Sequence, residues 1–216
     1  YPHSGMKLIE GASEDYPLNE DPIEDQLSRL SVVLTKSNRA YRGIKPGSLD
    51  FYGVQTFTNA LDEVVKQAYI YPSGGRKIRQ VPKAFHVEAG FRGDELFGMD
   101  KFNAGASRVV VVTEGEVDCL SAYQMLDHKY PCVSLPSSTP SKKLWQGKAK
   151  DWLNSFQKII LSVDTDDAGN GIADKIAGLF PNKTYRIPHD KYKDANEFLQ
   201  SGANESFKTA FFNAKK

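Results

Sequence analysis

Apolar and polar positions follow different rhythms in the two halves of the chain. Ile23, Leu27, Leu30 and Leu34 recur at helical intervals, which predicts an amphipathic helix opened by Pro22 at a tolerated first-turn position. Residues 1–20 are polar and acidic with no period, and read as a linker. "GIKPGSLDFYGV" predicts a short helix opening at Pro46 and closing at Gly53. The spacing then turns strand-like over residues 63–88. "EVVKQAYIY", the turn "PSGG", "RKIRQV" and "KAFHVE" predict an antiparallel sheet, with Pro82 marking an edge or a bulge.

After residue 106 strands and helices alternate. "VVVV" at 109–112 is the continuous apolar run of a strand covered on both faces. Helical spacing over 116–128 follows through Val117, Leu120 and Met125. "CVSL", "KIILSVD" and "KTYRI" predict three more strands, separated by helices at 141–155 and 168–180, with a last helix near "DANEFL". The expected fold is α/β. A parallel sheet flanked by helices, with right-handed crossovers, occupies residues 106–216; a smaller α+β subdomain with an antiparallel sheet precedes it at 21–105.

Composition narrows the classes. No stretch approaches the roughly 18 consecutive apolar residues a membrane helix needs, so no membrane partner is expected. The start lacks a signal-peptide pattern and an initiator Met, so the expectation is a piece of a longer protein. Cys119 and Cys132 form no CxxC pair; this excludes a zinc ribbon in the chain and fits a reducing, intracellular setting. The net charge of +1 conceals local clusters. Residues 72–92 carry Arg76, Lys77, Arg79, Lys83 and Arg92 against Glu88 alone, and "SKKLWQGKAK" holds Lys142, Lys143, Lys148 and Lys150 with no acid. Such clusters neutralise phosphates or serve simply as solvated faces.

The acids fall where strands end. Glu114 follows the first parallel strand, Asp118 lies one helical turn on, and Asp164 and Asp166 follow the third strand. Ligands of open parallel sheets gather at that edge. Several carboxylates there make an oxygen-rich site suited to Mg²⁺, and two such ions would serve both oxygens of a phosphoryl transfer. Against this stand plainer roles. Glu114 and Glu116 can favour a helix N-terminus, and Asp194 to Glu197 reads as a capping box. Asp-x-Asp alone is a weak signal.

"VVVTEGEVDCLSA", "ILSVDTDDAG" and "KDANEFL" together resemble the Toprim domain shared by primases, topoisomerases and some nucleases. "RGIKPGSLDFYGV", "KIRQVPKAFHVEAG", "DELFG" and "KYPCVSLPSSTPSKK" extend the likeness to the RNA-polymerase domain of phage primase–helicases, relatives of mitochondrial Twinkle. "PSSTPSKK" departs from the glycine-rich sequence expected after "CVSL". The resemblance implies Glu114, Asp118, Asp164 and Asp166 as catalytic acids and Glu114, Asp164, Asp166 and Asp194 as ligands of two Mg²⁺ or Mn²⁺ ions, with no zinc. It implies Arg76, Lys77, Arg79, Lys83, Lys142 and Lys143 as contacts for nucleotide or DNA. The implied activity is synthesis of short RNA primers from ribonucleoside triphosphates on single-stranded DNA, with a zinc-binding module and a helicase domain outside this fragment. A metal-dependent nuclease and a non-catalytic DNA-binding module are the rival readings. Phe85 and Phe91 are expected mainly as core residues, base stacking being the lesser role. Cys119 and Cys132 are expected in the core.

Overall fold

Two sheets of opposite construction meet in the computed structural model, which describes residues 35–189 and 191–216. The linker at 1–20 and the helix expected from Pro22 lie outside the described residues. The first sheet is antiparallel, in the order β1 (Thr35–Ser37), β2 (Gln55–Thr58), β3 (Val64–Ile70), β4 (Arg76–Gln80), β5 (Ala84–Val87). The last three strands are those expected from residues 63–88. Strands β1 and β2 were not expected, because three or four residues of mixed polarity give no period to read. Pro82 sits in the turn joining β4 to β5 rather than at an edge or bulge. Helix α1 (Pro46–Tyr52) opens with Pro at its start and stops at Gly53, whose φ of 70° is the left-handed conformation that glycine adopts without strain.

The second sheet is wholly parallel, with β6 (Val109–Thr113), β7 (Cys132–Ser134), β8 (Lys158–Ser162) and β9 (Thr184–Arg186) in the order β7-β6-β8-β9. Its helices are α2 (Glu116–Met125), α3 (Lys148–Asn154), α4 (Asp167–Leu179), α5 (Ala195–Gln200) and α6 (Asn204–Phe212). The helix expected at 141–155 is instead a 3-10 turn, Lys142–Gln146, followed by α3, with Gly147 between them. The helix expected to reach 128 ends at Met125, and Asp127 and His128 take positive φ. Helix α6 was not expected.

Strand β6 shows why its sequence is apolar throughout. Val110 and Val112 enter a core with Trp152, Leu161 and Ile176, while Val111 enters another with Leu120, Tyr52, Tyr69 and Phe97. Both faces are covered, as expected. The second of these cores takes rings from the antiparallel half and apolar residues from the parallel half, so the two sheets share one packed interior. Tyr52 fixes the join by donating its hydroxyl to the Cys132 carbonyl at 2.7 Å. Both cysteines are buried and unpaired, as expected.

Candidate functional site

The strand order determines where acids can meet. From β6 the chain crosses to β7 on one side and then to β8 on the other, so β6 and β8 flank the switch point, where a crevice opens beyond their carboxyl ends. Glu114 directly follows β6, and Asp164 lies two residues beyond β8. Glu114 Oε2 is buried without a hydrogen-bond partner. Burial, and then the negative charges of Asp164 and Asp166, push the Glu114 carboxyl above its ordinary range. Asp164 Oδ2 lies 3.4 Å from Lys193 Nζ. Its backbone carbonyl accepts from Arg186 Nη2 at 2.6 Å.

Asp166 caps α4, accepting from Gly169 N at 2.9 Å. Gly169 is needed there, because a Cβ at that position would collide with the Asp164 carbonyl. This accounts for the glycine of the Asp-x-Asp-x-Ala-Gly run: the helix must start hard against the loop that carries Asp164. Asp194 likewise caps α5, accepting from Glu197 N at 2.8 Å. The plainer capping roles are therefore real for Asp166 and Asp194. Each cap engages one carboxylate oxygen and leaves a second.

Asp118 accepts from the Asn196 amide at 3.1 Å. Burial, reinforced by nearby Asp194, raises its carboxyl to about 7. The linkage has a definite sign. The folded state holds a proton that the unfolded state releases near pH 4, so this group's contribution to stability is full at low pH and lost as pH rises towards 7. Asp118→Asn should flatten that decline in a series of urea titrations in EDTA. Equal slopes for the two proteins would show that Asp118 carries no such strain.

A divalent cation fits this donor set, which offers only hard oxygen ligands, one of them an orphaned buried atom. The charges of Asp164 and Asp166 add to burial in raising the Glu114 carboxyl, and that of Asp194 adds to burial in raising Asp118, so a cation placed among them would be favoured. Among the described residues no three His, Cys, Asp or Glu side chains already stand close enough to hold one ion. Holding one would require these side chains to draw closer together.

Opposite the acids, across a cleft of about 500 Å³, stands one face of the antiparallel sheet. Lys77 pairs with Val87 and Arg79 with Phe85 across the β4–β5 ladder, which puts all four side chains on the cleft face. Lys77 Nζ bonds Glu116 Oε1 at 2.8 Å and the Pro136 carbonyl at 3.0 Å. Tyr71 donates its hydroxyl to the same Glu116 oxygen at 2.6 Å. Glu116 is only 3% exposed and Lys77 14%, so this is a largely buried ion pair binding the antiparallel sheet to helix α2 of the parallel half. Arg79 is buried beside Tyr41, with its guanidinium 5.4 Å from the Phe85 ring. Lys83 lines the cleft and is exposed.

Residues 111–199 match the family model described as Toprim-like. The chain carries a Toprim-like domain. Over 139 residues the chain is 32% identical to a DNA helicase/primase of Enterobacteria phage T3, a match covering 64% of this chain and 24% of that protein. It is 28% identical over 181 residues to the chloroplastic/mitochondrial Twinkle homolog protein of Arabidopsis thaliana, covering 71% of this chain and 24% of that one. The chain thus spans about a quarter of the length of these two curated relatives. The crystal structure of the primase fragment of the bacteriophage T7 primase-helicase superposes with a TM-score of 0.70 at 28% identity, covering 83% of this chain and 75% of that one.

Within the Toprim-like domain, Glu114, Asp118, Asp164 and Asp194 line the cleft together. Asp166 is not among the lining residues, although its charge acts on Glu114. Of the cations expected, Lys77, Arg79 and Lys83 line the cleft. Arg76 instead pairs with Glu88 at 2.5 Å, and Lys142 and Lys143 are exposed on the 3-10 turn, away from the cleft lining. Phe85 is 45% exposed, which overturns its expected core role; it lies on strand β5, which among the described residues pairs with β4 alone. Phe91 packs edge-on against Tyr71 with ring centroids 4.9 Å apart and also lines the cleft.

Four site residues escaped the sequence reading. Glu116 was read only as a helix-start acid, and its partners are 39 and 45 residues away. Lys193 touches Asp164, and Arg42 lines the cleft 76 residues before Asp118. Asn196 ties these parts together, donating its backbone N–H to Asp118 at 3.1 Å and Nδ2 to the Arg42 carbonyl and Ser121 Oγ, both at 2.9 Å. The one local hint was Asn196 inside "DANE", which a capping-box reading leaves without a role.

Proposed function

We propose that this chain is the RNA-polymerase domain of a DNA primase, joining ribonucleotides into short primers on single-stranded DNA. The observation that carries this reading is the pairing of switch-point acids with a basic, aromatic-bearing wall across one cleft. A nucleotidyl transfer needs both, because it brings a polyphosphate and a hydroxyl nucleophile to the same place. Mg²⁺ or Mn²⁺, held by Glu114 and Asp164 with Asp166 and Asp194 contributing, would acidify the attacking hydroxyl and neutralise charge on the triphosphate.

The chain's own groups account for the rest. Lys83 and Arg79 offer positive charge to phosphates, and Phe85 offers an apolar face beside them. Lys77, fixed on two sides, presents its remaining donor to the cleft. Glu114 either holds the cation or, in place of that role, takes a proton from a primer 3′-hydroxyl. Asp118 and Asn196 position the α2 and α5 ends around that point. The similarity to a phage helicase/primase and a Twinkle homolog supports the further proposal that a zinc-binding module and a helicase accompany this domain in the whole protein. Buried, unpaired cysteines suit an intracellular setting. Among the described residues no helix is long and apolar enough to cross a membrane.

The test is extension of a dinucleotide on single-stranded DNA with ribonucleotides and Mg²⁺ or Mn²⁺, which bypasses start-site recognition. RNA products a few nucleotides long are expected; cleavage of the DNA instead would replace the polymerase reading with a nuclease. Lys83→Ala should weaken template binding by up to about tenfold and reduce the salt slope by about one. An unchanged slope in anisotropy titrations would remove Lys83 from the phosphate path.

A further inference from the structure

A second concavity, of about 330 Å³, lies at the outer edge of the parallel sheet and shares no lining residue with the cleft. Thr165, Arg186, Lys215 and Lys216 line it, with Ile187, Pro188 and His189 as its remaining wall. The segment holding Lys215 lies antiparallel beside β9. Arg186 N donates to the Lys215 carbonyl at 2.7 Å, and Lys215 N donates to the Arg186 carbonyl at 3.0 Å.

Three features of this edge point the same way. Arg186 and Lys215 are directly opposed cross-strand neighbours of like charge, an arrangement that destabilises a sheet unless an anion lies between them. Among the described residues, none of Arg186, Lys215 and Lys216 has a carboxylate within 4.0 Å to supply that anion. Arg186 also has an unmet donor. Nη1 bonds Asn170 Oδ1 and Nη2 bonds the Asp164 carbonyl, both at 2.6 Å, while Nε is buried with no acceptor. His189 adds no charge of its own: its ring nitrogens are engaged by Ser162 Oγ and the Lys193 carbonyl, and burial holds its pKa down.

We propose that this concavity is a phosphate-binding site, with Arg186, Lys215 and Lys216 supplying the charge and Thr165 a hydroxyl. Phosphate supplies what the site lacks: negative charge and several acceptor oxygens in one compact group. The position gives it consequence. Arg186 holds the carbonyl of Asp164, so the guanidinium that would meet the phosphate also fixes the loop carrying a cleft acid. The phosphate belongs either to a nucleic-acid strand running past the sheet edge or to a free nucleotide. The site does not depend on the chemistry in the cleft.

Two variants test this, with circular dichroism confirming the fold. Lys215→Glu/Lys216→Glu reverses the charge at exposed positions, and Arg186→Gln keeps an amide to reach the Asp164 carbonyl. The probes are a fluorescein-labelled oligothymidylate of about ten nucleotides and a fluorescent ATP analogue, titrated separately between roughly 50 and 200 mM salt. The expected result for the lysine variant is at least about tenfold weaker binding of one probe and a salt slope smaller by about two. Loss confined to the oligonucleotide identifies a strand backbone; loss confined to the ATP analogue identifies a nucleotide. Unchanged affinity and slope for both probes in the lysine variant would overturn the site, whether or not Arg186→Gln folds.

Discussion

Asp164→Ala is expected to lower dinucleotide extension by roughly a thousandfold, equivalent to about 4 kcal/mol of lost transition-state stabilisation. No other change in the chain is expected to affect rate as much with so little effect on the fold. The side chain makes one polar contact among the described residues, to the 70%-exposed Lys193, an interaction of little worth to stability. The features that hold the loop are backbone ones: the Arg186 bond to the Asp164 carbonyl and the close approach of Gly169. Melting temperature should therefore stay near that of the wild type. Asp164→Asn, which keeps the shape and loses the charge, should fail nearly as completely. Retention of even a tenth of the wild-type rate by either variant would remove Asp164 from the reacting centre.

Glu116→Ala is expected to act in the opposite way, through stability. The substitution strands Lys77 at 14% exposure and leaves the Tyr71 hydroxyl without its acceptor. Removing one partner of a buried ion pair costs about 3–5 kcal/mol, and the residual exposure of Lys77 places this case near the lower figure. Replacing both charges, as in Glu116→Leu/Lys77→Met, should recover most of that loss, since well-packed apolar pairs commonly match buried ionic ones. Primer extension by the double variant should still fall, because a cation is missing from the cleft wall. Urea unfolding of the two proteins checks this. A Glu116→Ala protein within about 1 kcal/mol of wild type would mean that the ion pair does not tie the antiparallel sheet to α2.

The legible parts of this molecule were those whose sequence neighbours are also neighbours in space. Strands β6 and β8 declared themselves through apolar runs, because each is buried on both faces, and α1 through the proline that opens it and the glycine that closes it. Strand β2 stayed hidden because its four residues alternate too briefly, and α6 because its apolar side is confined largely to Phe207 and Phe211. In the site, the acids at strand ends followed from the logic of parallel sheets. Of the cations expected to face them, Lys77, Arg79 and Lys83 line the cleft but Arg76 does not, since Arg76 and Lys77 are adjacent in sequence yet one serves Glu88 and the other Glu116. Charge counting sees only the cluster; pairing depends on the strand register, which no local window contains.

The common interior beneath the two sheets limits how this cleft can work. Tyr52 and Tyr69 from the antiparallel half rest on Phe97, at 5.4 and 5.7 Å between ring centroids, and Tyr52 meets Tyr123 of α2 at 5.3 Å. Spreading the two walls would pull these rings out of contact and wet them, so a clamshell motion is closed to this molecule. Any ligand held between these walls would meet a cleft of fixed width.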